Sequence, residues 1–241
     1  MRTEILGVAF DNVTMDEALD RAMELIEQKG TPHLVVTPNA EIVQQAGKDA
    51  EFSALIANAD LVIPDGIGVI YASKILGRPL KGRVPGCDFA AELMARMAKS
   101  GHRLFLLGAK PGVAEEAAEK LTAAHPGLVI CGTHDGYFKD DAAPAEIIRQ
   151  AQADVVFVCL GAPRQEKWIV NHGAATGASL LIGLGGSLDV FAGRVERAPE
   201  RWQKLGMEWL YRAIKQPQRL KRVAKLPLFL VSAAAARIKG K

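Results

Sequence analysis

Short apolar runs recur along the chain, each closed by glycine, proline or a polar residue and then followed by a segment with helical spacing. Residues 4–10 predict one short strand. Thr14 to Lys29 has helical spacing, with Thr14 as N-cap, Glu17 completing a capping box and Gly30 ending the helix. His33 to Val36 predicts a strand, 40–47 a helix, Asp60 to Pro64 a strand and 67–76 a helix. Gly77 to Cys87, rich in Gly, Pro and basic residues, predicts a loop, and Asp88 is expected to cap a helix running to about Ser100. A regular rhythm follows: strands over Arg103–Leu107, Leu128–Cys131, Asp154–Leu160 and Leu180–Leu184, with helices over 113–124, 143–151 and 166–173. Strands alternating with helices predict an α/β protein with a doubly wound, mostly parallel, Rossmann-like sheet and right-handed crossovers.

The pattern changes near residue 195. Pro199 predicts the start of a helix through Ile214, Gln216-Pro217 breaks it, and a basic, apolar helical segment follows, in which Pro227 speaks against one uninterrupted helix. Two units are therefore expected: residues 1–194 as an α/β core, and 195–241 as a helical C-terminal appendage. Charge sharpens this division. From Arg194 onward there are seven Arg and six Lys against three Glu, a net of +10. The whole chain carries +3, so residues 1–193 carry −7. An acidic body with a basic tail points to an anionic partner. The least polar run, Leu226 to Ala236, falls short of the ~20 residues that a membrane span needs. The first residues contain no long apolar stretch of the kind a secretory signal carries. Three scattered cysteines, Cys87, Cys131 and Cys159, fit a reducing compartment and argue against a disulfide framework or zinc site.

Candidate chemistry collects where strands end. In Leu61-Val-Ile-Pro-Asp65-Gly-Ile-Gly-Val69 an apolar run delivers Asp65 to a strand's C-terminal lip, beside two glycines. Ligands of open α/β sheets sit beyond those ends. Asp65 therefore either caps the following helix or acts as an acid–base group. The turns at Gly108, Gly161 and Gly185 each link a buried strand to a helix, where exposed N–H groups favour a phosphate. Tyr137, after Asp135-Gly136, is either an edge aromatic or a surface on which a base stacks. GxGxxG, the P-loop GxxxxGK[ST] and GxSxG are all absent, which argues against a standard dinucleotide dehydrogenase, a P-loop NTPase and the commonest hydrolases. There is no DxD, HxH or HExxH, so no metal cofactor is expected. A departing diphosphate would then need cationic side chains, and Arg83, Arg164, Lys167 and the basic tail are available.

Taken together, Thr37-Pro-Asn-Ala-Glu41, Ile63-Pro-Asp-Gly-Ile-Gly68, Arg83-Val-Pro-Gly86, Phe157-Val-Cys-Leu-Gly-Ala-Pro-Arg-Gln-Glu-Lys-Trp168, Gly183-Leu-Gly-Gly-Ser-Leu-Asp-Val190, Arg197-Ala-Pro199 and Trp209-Leu-Tyr-Arg212 with Pro217 and Arg219 resemble the WecG/TagA/CpsF glycosyltransferase family, over essentially the whole chain. The resemblance implies inverting transfer of N-acetylmannosamine from a UDP donor to a polyprenyl-diphosphate-linked N-acetylglucosamine, in a β-1,4 linkage, as in teichoic acid linkage-unit synthesis. Some members use the uronic acid of the same sugar. By resemblance, Asp65 corresponds to the base, Thr37 and Asn39 to acceptor-pocket residues, Arg83 and Gln165 to groups near the reacting atoms, and Asp189 to a residue near the uracil. Gly108, Ala109, Tyr137, Gly161 and Gln165 join Asp189 as expected UDP contacts. Arg212, Arg219 and Arg222 are expected to reach the diphosphate. The implied setting is the cytoplasmic face of the plasma membrane, with an anionic lipid surface as partner and no nucleic acid. A homo-oligomer is compatible with the sequence. The competing class is a nucleotide-dependent oxidoreductase or epimerase on the same kind of sheet.

Overall fold

The computed structural model describes residues 1–199, 201–202, 206–215 and 225–240, the side chains of 212, 213 and 215 excepted. Six parallel strands form the central sheet: β3 (His33–Val36), β4 (Leu61–Val62), β5 (Arg103–Gly108), β6 (Val129–His134), β7 (Val155–Cys159) and β8 (Leu180–Gly183). Their spatial order is β4-β3-β8-β7-β5-β6. The central strands are apolar throughout because helices cover both faces. Alternation along each strand divides the core in two. Leu34, Val36, Phe105, Leu107, Val156, Val158 and Leu181 point into one apolar cluster. Val35, Leu104, Leu106, Val155, Phe157, Leu180 and Ile182 point into the other.

The first face carries α2 (Ala40–Ala46), α3 (Ala50–Ala57), α4 (Ile67–Ile75), α7 (Ala143–Gln150) and α8 (Arg164–Thr176), together with an N-terminal hairpin. The second carries α1 (Met15–Glu27), α5 (Gly86–Ser100), α6 (Val113–Ala124) and α9 (Ser187–Phe191). The capping box expected at α1 is present. Thr14 Oγ1 accepts the Glu17 N–H at 3.3 Å, and Glu17 Oε2 accepts the Thr14 N–H at 2.8 Å. The doubly wound α/β expectation holds.

Several details differ from the sequence reading. Residues 4–10 are two antiparallel strands, β1 (Arg2–Ile5) and β2 (Val8–Asp11), because Leu6 and Gly7 both adopt positive φ and turn the chain back. α3 was not predicted; Asp49 caps it, accepting the Phe52 N–H at 3.0 Å. α5 begins at Gly86, after the extended Pro85, so Asp88 lies inside its first turn and does not cap it. The helix expected after the Gly185 turn is present as the short α9. The helix expected from Pro199 to Ile214 is interrupted. Gly206 takes φ +68°, the Met207 N–H closes back on the Trp202 carbonyl at 2.8 Å, and α10 (Glu208–Lys215) starts afresh.

Pro227 does not interrupt α11 (Lys225–Ile238), since it is the third residue of that helix. First-turn N–H groups have no intrahelical acceptor, so proline removes nothing there. α11 packs on α4 and α2 and sends Phe229 and Ala233, both fully buried, into the first core cluster. Arg237 Nη1 donates to the Leu76 carbonyl at the C-terminal end of α4, at 2.6 Å.

The winding opens a crevice above β8. After β3 and β7 the chain crosses to the first face, through α2 and α8. After β8, which lies between them, it crosses to the second face through α9. The connections leaving neighbouring strands thus part above β8, the place where open α/β sheets bind ligands.

Candidate active site

A cleft of about 470 Å³ opens at that point. Its walls come from the turns after β3 (Thr37, Asn39), β4 (Asp65 to Gly68), β7 (Gly161, Gln165) and β8 (Leu184 to Ser187), from the loop before α5 (Arg83, Pro85), and from Arg197, Gly206, Glu208, Trp209 and Leu226. Asp189, in the first turn of α9, also lines it. Seven residues singled out from the sequence therefore meet: Thr37, Asn39, Asp65, Arg83, Gly161, Gln165 and Asp189. Gly108, Ala109 and Tyr137 do not line the cleft. They lie over the β5–β6 half of the sheet, where the Gly136 N–H donates to the Ala109 carbonyl at 2.9 Å and Tyr137 is 69% exposed. Arg219 and Arg222 lie outside the described residues, as does the side chain of Arg212.

Each lining side chain is held by local geometry. Thr37 is buried and its hydroxyl donates to the Gly183 carbonyl at 3.0 Å, tying the end of β3 to the end of β8. Asn39 caps α2, its Oδ1 accepting the Glu41 and Ile42 N–H groups at 2.9 and 3.1 Å. That leaves the Asn39 amide nitrogen as the group able to serve a ligand. Asp65 does not cap the helix that follows it: α4 has Gly66 at its N-cap and no side-chain cap. Its Oδ1 instead accepts the N–H of Gly86, the first residue of α5, at 2.9 Å, which holds the carboxylate on the cleft wall.

Gln165 is 98% buried, and both its amide oxygen and its amide nitrogen are hydrogen-bonded. Its Oε1 accepts N–H groups from Gly161 at 3.2 Å and Gly185 at 2.9 Å, so one amide joins the turns after β7 and β8. Its Nε2 donates to Glu166 Oε1 at 2.8 Å. Gly183 makes room for this, because a Cβ there would stand 2.7 Å from Gln165 Nε2. Burial pushes the Glu166 carboxyl above its ordinary value, with the Gln165 bond opposing, and Glu166 Oε2 has no partner among the described residues. Sequence reasoning missed this pair's bracing role. Its only trace was the adjacency of Gln165 and Glu166 after a glycine turn.

Of the cations offered by the sequence, Arg83 lines the cleft. Arg164 stacks over the Phe138 ring at 4.7 Å and donates to the Gly136 carbonyl, and Lys167 pairs with Glu51 at 2.6 Å; neither lines the cleft. Arg197, not singled out as a site residue, does line it, its Nη1 2.5 Å from Asp88 Oδ1. Burial works against the Arg197 charge, but the Asp88 hydrogen bond and charge outweigh it and raise the guanidinium above its ordinary value. Among the described residues no group of three His, Cys, Asp or Glu is placed to hold a metal.

A carboxylate, an anchored guanidinium and glycine turns at strand ends suit transfer of a group from a phosphorylated donor. Comparison with known proteins agrees. The model of the glycosyl transferase WecG/TagA/CpsF family matches residues 3–241. The chain belongs to this family. A relative from Staphylococcus aureus (strain MW2) is 35% identical over all of this chain and 95% of its own length. Others from Bacillus subtilis (strain 168), 35% identical over 96% of this chain and 91% of the relative, and from Bacillus spizizenii, 36% identical over 86% and 80%, carry the same name: N-acetylglucosaminyldiphosphoundecaprenol N-acetyl-beta-D-mannosaminyltransferase. Membership in a glycosyltransferase family sets aside the oxidoreductase or epimerase alternative.

Proposed function

We propose that this glycosyltransferase moves N-acetylmannosamine from its UDP donor to the N-acetylglucosamine of a polyprenyl-diphosphate lipid, with inversion, as in teichoic acid linkage-unit synthesis. Support comes from the relatives' shared name and, above all, from the meeting of Thr37, Asn39, Asp65, Arg83, Gln165 and Asp189 in one cleft above β8.

In this reading Asp65 takes the proton of the acceptor hydroxyl, whose oxygen attacks the anomeric carbon as the bond to the donor's diphosphate breaks. UDP leaves with the bonding electron pair, and Arg83 stabilises the developing charge. Thr37 and the Asn39 amide nitrogen orient the acceptor sugar, and Asp189 receives the base. Gln165 and Glu166 keep the two glycine turns in place. Arg212, Arg219 and Arg222 are assigned to the diphosphate by the family resemblance alone. Protein cations do the work of a divalent metal.

The appendage serves the lipid. No described helix is long and apolar enough to cross a membrane. We place the enzyme at the cytoplasmic face, held by its +10 segment and by the outward residues of α11, of which Leu228 and Val231 are each 65% exposed. Phe229, on the inner side of the same helix, is fully buried and serves the core.

The test is UDP release from a panel of UDP-sugars with a short-chain diphosphate-linked N-acetylglucosamine acceptor, with and without EDTA. The expected result is turnover with UDP-N-acetylmannosamine that survives the chelator. Preference for the uronic acid donor would overturn the sugar assignment. Loss in EDTA restored by Mg²⁺ would overturn the role given to the arginines.

A further inference from the structure

On the cleft wall a carboxylate stands between two guanidinium groups. Glu208, the first residue of α10, has Oε2 3.9 Å from Arg83 Nη1 and Oε1 4.0 Å from Arg197 Nε. All three side chains are largely enclosed, at 13%, 20% and 26% exposure. Both separations are within ion-pair range but too long for hydrogen bonds. Arg197 is held from the far side, where Asp88 takes Nη1. Its Nε and Nη2 are buried and have no hydrogen-bond partner among the described residues. Those two nitrogens form one edge of the guanidinium plane, the fork that receives a carboxylate or phosphate through two parallel bonds. A buried donor pair left unsatisfied is costly, and where it persists in a native structure it calls for an explanation.

The backbone explains how Glu208 reaches this spot. Gly206 lies against Ile67 at the start of α4, and a Cβ there would stand 2.8 Å from Ile67 Cγ1. Its positive φ turns the chain just before α10, which begins with Glu208 facing the arginines.

We propose that Arg83 and Arg197 are the two jaws of a diphosphate clamp, and that Glu208 is its resident counter-ion, displaced when substrate binds. The Arg197 fork stays covered while Glu208 is in place and satisfies its two open donors on phosphate oxygens once Glu208 withdraws. Substrate entry is thereby coupled to a movement of α10. A resident anion reduces apparent affinity by the fraction of molecules in which it has left. The proposal rests on the reading above that a substrate brings a diphosphate to this cleft.

The experiment measures binding of inorganic pyrophosphate, UDP, uridine and a short isoprenyl diphosphate to the full chain. Glu208→Gln should tighten pyrophosphate by roughly tenfold and leave uridine unchanged. Arg197→Lys, which keeps the charge but loses the fork, should weaken pyrophosphate by roughly tenfold. In the unaltered protein pyrophosphate should change the fluorescence of Trp209, the neighbour of Glu208, and Trp209→Phe should remove that change. This readout stands even if Glu208→Gln fails to fold. A gain larger for UDP assigns the clamp to the donor, and one larger for the isoprenyl diphosphate assigns it to the lipid acceptor; either carries the proposal. Unchanged or weaker pyrophosphate binding by Glu208→Gln, wild-type binding by Arg197→Lys, or a silent Trp209 overturns it. Pyrophosphate binding does not depend on sugar transfer, so the two readings fail separately. Transfer with an inert Glu208 sinks only the clamp, and a working clamp without transfer sinks only the proposed reaction.

Discussion

Asp65 accepts the Gly86 N–H through Oδ1, so it joins a strand end to the helix that starts across the cleft. Asparagine at this position keeps an oxygen for that bond and loses the ability to take a proton. Asp65→Asn should therefore retain the stability of the parent protein while turnover falls about 10²–10⁴-fold, the usual contribution of a general base. Thermal unfolding and initial rates on the same preparation check both halves. A variant that is stable and turns over at the parent rate would leave Asp65 with a structural role alone. The position of Asp65 was legible, because an apolar run that ends in a carboxylate followed by glycine puts that acid at the carboxyl edge of a sheet. Gln165 was legible as a cleft residue but not as a brace, since the glycines it joins meet only once β7 and β8 pair. Arg197 was hidden for the same reason. Its anchor, Asp88, is far away in the chain and had been read as a helix cap.

At the scale of elements, periodicity identified the buried strands and most helices, and it failed where one pattern could run through a break. Ile5, Val8 and Phe10 all turn inward, so 4–10 read as a single strand although Leu6-Gly7 reverses the chain. Leucine is an unusual residue for a turn needing positive φ, and nothing local announced it. The signal for α3 was present, with Asp49 as cap and Phe52 and Ile56 one turn apart on the buried side. Proline was overweighted at 227, where it falls in a first turn, and glycine was underweighted at 206, where a positive φ stands two residues before α10 begins. α11 consequently has an unbroken inner face. Phe229→Ala should cost about 3–5 kcal/mol, the range for truncating a buried phenylalanine. Leu228→Ala, one residue along and mostly exposed, should fall within about 0.5 kcal/mol of the parent. Urea unfolding midpoints compare the two. Equal costs would mean that α11 does not pack through Phe229.

On the scale of the whole molecule, the same helix has to serve two environments. Its inner residues complete the core, Leu226 reaches the cleft wall, and Leu228 and Val231 face outward beside a segment rich in Lys and Arg. Tyr71 and Ile75, on the helix against which α11 packs, add to the exposed apolar surface. Basic residues near an anionic leaflet contribute about 1 kcal/mol each, and the two outward aliphatic side chains about 1.5–3 kcal/mol each if fully inserted. Charge and insertion should therefore both be needed. We expect the protein to sediment with vesicles containing anionic lipid and not with zwitterionic ones, and to be released as salt rises. The double change Leu228→Ser with Val231→Ser should weaken vesicle binding by roughly tenfold or more. It should leave transfer to a short-chain soluble acceptor intact, since neither side chain lines the cleft. Vesicle binding equal to that of the parent would remove α11 from the membrane contact. Loss of transfer to the soluble acceptor as well would mean that the outward face of this helix supports the site itself.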